Sequence, residues 1–143
     1  MRLTLGITLL LACFCWAGQA EDISGPLSGS LGPGTFNVVE DISVEMGDTL
    51  TIQPGTTLLM IGARTFSIFG YLVASGTEDD SIYFGPQNVA FRWHGIIFFS
   101  YANDNSRMEY CYITGSDCQA LEINATNPTI SHSTFENNIA GTG

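Results

Sequence analysis

Lysine is absent from this 143-residue chain, and arginine is scarce: four basic residues stand against 14 acidic ones, for a formal net charge of −10. Such a surface repels phosphate backbones and anionic lipid, so nucleic-acid binding and electrostatic membrane docking both lack their main attractive term. Neutral glycans, cations and basic proteins remain as partners. Histidine occurs only at His94 and His132, a separation that matches no metal-ligand spacing. Cysteine occurs four times, too seldom for a disulfide scaffold. No long stretch carries helical periodicity, which removes helix bundles and alternating α/β folds.

What is present is a hydrophobic fraction of 45%, enough for a true core and too much for intrinsic disorder. The first twenty residues stand apart from that core. Arg2 precedes an apolar run from Leu3 to Trp16, followed by the small residues Gly18 and Ala20, the order of a secretory signal peptide over 1–20. The run is too short to span a bilayer, so no transmembrane segment is expected once the signal is removed. A competing reading places lipidation at Cys13, but that leaves a cramped apolar segment behind Met1. Cleavage after Ala20 removes two cysteines and Arg2. It leaves Cys111 and Cys118 as candidates for a disulfide whose pairing the spacing does not decide.

From Glu21 onward, short β-branched and aromatic runs alternate with Gly, Pro, Asn and Asp, the pattern of strands joined by tight turns. These runs repeat. Ile42-Ser43-Val44 recurs as Phe66-Ser67-Ile68 at an offset of 24 and Leu50-Thr51-Ile52 as Leu72-Val73-Ala74 at 22. Leu59-Met60-Ile61 is aligned with Ile82-Tyr83-Phe84 at 23. Three strands that advance together predict one turn of a three-sided parallel β-helix. Met108 through Ile113 aligns with Ile130 through Phe135 at 22, which sets Cys111 on Ser133 and points it into the stack. The same alignment sets Tyr110 on His132, facing outward.

Gly47 to Thr56, Gly70 to Thr77 with Ile82-Tyr83-Phe84, and then Trp93 to Phe98 occur in an order that resembles the opening of pectate-lyase-like right-handed β-helix proteins. The resemblance covers roughly Ile42 to Ala140. It implies an all-β, right-handed parallel β-helix (solenoid), of the kind found in secreted or surface-anchored bacterial proteins. On that reading 1–20 is the signal, 21–41 a Gly/Ser/Pro-rich lead-in and N-terminal cap with Phe36-Asn37-Val38-Val39 as a covering strand, and 42–143 the β-helix turns. Because Glu136 to Gly143 follow a strand and corner without a covering element, the turns are expected to continue past the C-terminus.

Lyases of this resemblance use a basic residue beside a uronate and hold calcium with clustered carboxylates. Arg64, Arg92 and Arg107 fall in different turns with no shared face. Glu78-Asp79-Asp80 is the only acidic run, a corner that suits solvation and is the one candidate for a Ca²⁺ site. No pair of acids has the spacing that glycosidases need. Of the aromatics, Tyr71 and Trp93 are the candidates for stacking on sugars, with Tyr83, Tyr110 and Tyr112 as further exposed rings and Trp93 otherwise packing at a corner. No catalytic set assembles and no cofactor is implied. The expectation is a non-catalytic extracellular or cell-surface module for adhesion, surface structure or glycan binding, with a polysaccharide or cell-surface protein as partner. The alternative is the N-terminal part of a polysaccharide lyase or glycoside hydrolase whose active-site turns lie beyond residue 143, which rests on fold analogy.

Overall fold

The computed structural model describes residues 18–139. The signal-peptide reading and Cys13 fall, for residues 1–17, outside the described residues, as does the chain past Ile139. Fourteen strands and no helix make up the described residues. Every pairing between named strands is parallel, in an all-β solenoid.

Three faces follow one another along the chain. One stacks the first half of β3 (Gly34–Val44) with β5 (Thr56–Met60), β8 (Ile82–Pro86), β11 (Cys111–Thr114) and β14 (Thr134–Glu136). The next stacks the second half of β3 with β6 (Thr65–Ile68), β9 (Gly95–Phe98) and β12 (Leu121–Ile123). The last stacks β2 (Gly29–Leu31), β4 (Thr49–Ile52), β7 (Tyr71–Ser75), β10 (Arg107–Glu109) and β13 (Thr129–Ser131). We call these the first, second and third faces.

Alternation along each strand sends every second side chain inward, and stacking in register turns these into continuous apolar columns. Leu58, Phe84 and Ile113 form one on the first face; Val44, Ile68 and Phe98 form one on the second; Ile52, Ala74 and Met108 form one on the third. All nine side chains are buried. The small Ala74 sits beneath the long Met108, so the column keeps its volume.

The offsets of 24 and 22 hold in the pairings Ile42 with Phe66, Leu50 with Leu72 and Met108 with Ile130. The alignment of Leu59 with Ile82 does not. Leu59 pairs with Gly85, and Leu58 with Phe84. An odd offset would set the outward Leu59 on the inward Ile82, and the extra residues of the corner before β8 restore the parity. The turns also begin before Ile42. β1 (Glu21–Pro26) and β2 already pair in the solenoid, and Phe36 to Val38 lie inside β3, a full member of two faces, with β1 on its outer side.

Corners carry the strain. Gly55 turns at φ +77°, while Tyr110 and His132, one above the other, both sit at φ +49°, where a side chain is unusual. Their rings stack at 4.6 Å and 12°. The aligned pair thus shares both a backbone conformation and a contact.

Candidate functional site

The loop 87–94 is the widest passage from the first face to the second; its counterparts below and above are 61–64 and 115–120. Trp93 anchors it. The indole is fully buried, its Nε1 donates to Thr114 O at 2.7 Å, and its backbone bridges to Ser116 in the next turn. Trp93 therefore offers no ring to a sugar: burial makes it the pin of the loop, and its assignment as a stacking platform is corrected. With its base pinned, the loop thrusts Val89 and Phe91 into solvent at 88% and 61% exposure. Apolar side chains held outward by a buried anchor do nothing for the core.

Beside this loop, on the outer surface of the first face, lies a groove of about 420 Å³. Its floor is built from Tyr83 and Tyr112, which stand side by side on β8 and β11 with rings 5.7 Å apart and 10° from parallel. Gly85 makes the floor possible. A Cβ there would stand 2.5 Å from the Tyr83 hydroxyl, so the ring leans along its own strand over bare backbone. Partial burial pushes the Tyr83 hydroxyl up from its ordinary pKa. Tyr112 donates to the Glu136 carboxylate on β14, and that hydrogen bond raises its pKa by favouring the protonated phenol.

Val89 and Pro86 add apolar walls, and Arg92 and Asn137 close the end. Arg92 Nη1 donates to Ser116 O at 3.0 Å and Asn137 O at 2.9 Å, which ties the loop to the two following corners. Among the described residues its Nε and Nη2 and the Asn137 side-chain amide carry no hydrogen bond, and both remain free to meet a ligand. Apolar rings beside unspent donors can hold a molecule that has an apolar face and hydroxylated edges.

The other candidates lie elsewhere. Tyr71 is half-buried in a smaller pocket at the corner between the second and third faces. Glu78, Asp79 and Asp80 are exposed; Asp80 serves its corner, accepting from Gly55 N and Thr77 N through its carbonyl. Among the described residues no group of three or more His, Cys, Asp or Glu side chains could hold a metal ion, so this run forms no Ca²⁺ cage. Cys111 and Cys118 are free thiols, the first buried and the second exposed. Arg64 donates to Ile61 O within its own corner, and Arg107 donates from β10 to Ser75 Oγ on the neighbouring strand β7.

Loop placement brings together one set that the spacing hides. His94, Asp117, Cys118 and Glu122 border a single cavity of about 360 Å³. His94 Nε2 lies 4.0 Å from Asp117 Oδ2 and Nδ1 lies 3.5 Å from Thr65 Oγ1. Among the described residues no hydrogen bond joins Cys118 to His94. The Tyr83–Tyr112 pair is the other feature the sequence did not disclose. The long loops 87–94 and 99–106 break the period that would have aligned them.

No protein-family model, curated protein or solved structure matches the chain.

Proposed function

We propose that the chain is an exported, non-catalytic module of a pectate-lyase-like β-helix protein, and that it binds a glycan in the groove on its first face. The observation that carries this reading is the parallel Tyr83–Tyr112 floor beside a loop that holds Val89 in solvent. Sugar rings present an apolar C–H face, which packs on aromatic rings, and hydroxyl edges, which take donors such as the Arg92 guanidinium and the Asn137 amide. A solenoid suits the task because neighbouring turns repeat the same surface at strand spacing, matching a polymer with its own repeat. The acidic composition favours a neutral glycan over an anionic one.

The test is an oligosaccharide array followed by titration calorimetry on the best neutral ligand. Tyr83→Ala and Tyr112→Ala are each expected to weaken binding by about ten-fold, at the scale of one lost stacking contact, while leaving the circular dichroism spectrum unchanged. Binding that survives both substitutions would place the ligand elsewhere. Release of new reducing ends by the chain would make it an enzyme instead.

A further inference from the structure

We infer that the pocket at the corner between the second and third faces is a site for a quaternary ammonium group, such as the trimethylammonium head of choline or of its phosphate ester. This edge lies away from the tyrosine groove, and the inference does not depend on glycan binding there.

Three successive corners stack to build the pocket. Phe69 N and Gly70 N both donate to Val44 O, and Tyr71 N donates to Asp48 O, which seats the middle corner on the one below. Phe99 N donates to Ile68 O and Asn103 N to Gly70 O, which seats the upper corner on the middle one. The opening lies beside Gly47, where a Cβ would meet nothing within 4 Å. Gly47 turns at φ +87°, whereas a Cβ on Gly70 would stand 2.5 Å from Asp48 O, so glycine there lets the middle corner pack directly on the backbone of the one below. The space left is about 220 Å³, the size of a small head group.

The lining combines three aromatic side chains and one carboxylate with polar backbone, Thr49 and Asn103. Phe69, Tyr71 and Tyr101 all border the pocket, with Asp48 at its rim. Ala102 takes the inward position of the upper corner, its N–H bonded to Phe99 O, and this turn drives Tyr101 outward to 72% exposure. Phe69 is braced from behind by Phe99, whose ring lies 4.4 Å away at 18°. Among the described residues the Asp48 carboxylate has no hydrogen-bond or ion-pair partner, and no arginine borders the pocket. Ring faces carry negative charge density and attract a cation within reach of the ring centroid. A quaternary ammonium fits better than lysine or arginine, since it has no N–H to satisfy and loses little hydration on leaving water for a site bordered by rings. The chain's net charge of −10 adds a long-range pull on any cation.

The experiment titrates the full chain with tetramethylammonium, choline, phosphocholine and the neutral carbon isostere of choline, read by calorimetry and by the fluorescence of the pocket tyrosines. Choline is expected to bind in the millimolar range and its isostere to bind at least about ten-fold more weakly. Tyr101→Ala and Asp48→Asn are both exposed changes that spare the core, and each should weaken choline by about five-fold. Phosphocholine binding at least as tightly as choline assigns the ester as ligand; weaker binding assigns the free base. Equal affinity for the isostere, choline binding unchanged in both variants, or no saturable binding of any cation overturns the assignment.

Discussion

Cys111 and Cys118 are separated by one corner yet behave as different chemical species, because one side chain falls on an inward strand position and the other on a solvated loop. Cys111 is 2% exposed and its Sγ lies 3.5 Å from both Ala74 O and Glu109 O. Burial pushes its pKa up to about 12. The thiolate is the reactive form, so with residues 21–143, which leave out Cys13 and Cys15, a thiol reagent at pH 8 should modify Cys118 alone in the native state and both remaining cysteines after denaturation. Two rapid equivalents in the native state would contradict the inward placement. Linkage gives a second reading. The unfolded thiol ionises from its ordinary 9.0 while the folded one waits until about 12, so this residue's contribution to stability is intact below pH 9 and is lost as pH rises through 12. Tyr112 offers a parallel case at the surface, where Glu136→Gln should let the phenol ionise at lower pH, seen in its ultraviolet titration.

Strands and corners tolerate change unequally, and the reason is what each neighbour can do when crowded. Ile68 is fully buried and pairs with Val44 below and Phe98 above. Ile68→Asp sets an unpaired charge inside that column, at a cost of several kcal/mol against a typical stability of roughly 5–15 kcal/mol. Loss of the cooperative melting transition is the expected result, with Ile68→Val costing only about 1 kcal/mol. Two glycines give a sharper contrast. A methyl at Gly85 meets the far end of the Tyr83 ring, which can swing away, whereas one at Gly70 meets backbone carbonyl oxygen, which cannot. Gly85→Ala should therefore leave the melting temperature nearly unchanged and weaken ligand binding in the tyrosine groove. Gly70→Ala should destabilise the chain by roughly 1–3 kcal/mol. The opposite order of melting temperatures would mean that the Tyr83 ring does not rest on Gly85.

On the scale of the whole molecule, charge is the dominant unspent energy. The net charge of −10 counts histidine as neutral, and among the described residues no arginine–carboxylate pair offsets it; His94 lies 4.0 Å from Asp117, with both side chains about half exposed. Exposed like charges repel in the folded state more than in the expanded chain, and salt screens them over about 10 Å at 0.1 M. Raising sodium chloride at neutral pH should thus raise the melting temperature, and lowering the pH toward the sequence pI of about 4.1 should bring the chain to its solubility minimum. A melting temperature that falls with added salt would reveal attractive pairs that outweigh the repulsion.

The solenoid was legible in the repeat pattern alone. Strand alternation and offsets near one turn are local properties, so Ile42 finds Phe66, Met108 finds Ile130 and Cys111 turns inward on information carried by nearby residues. Reading failed where a corner changed length. The residues before β8 carry Leu58 rather than Leu59 into line with the inward positions of the next turn, and the loops 87–94 and 99–106 separate Tyr83 from Tyr112 by more than a regular period. Which aromatics are free depends on neighbours from other turns: Thr114 O draws the Trp93 indole into the core, while Gly85 and β11 lay Tyr83 and Tyr112 on the surface. The candidate sites arise at loops and corners stacked from different turns, and loop length is the variable that a periodic pattern does not encode.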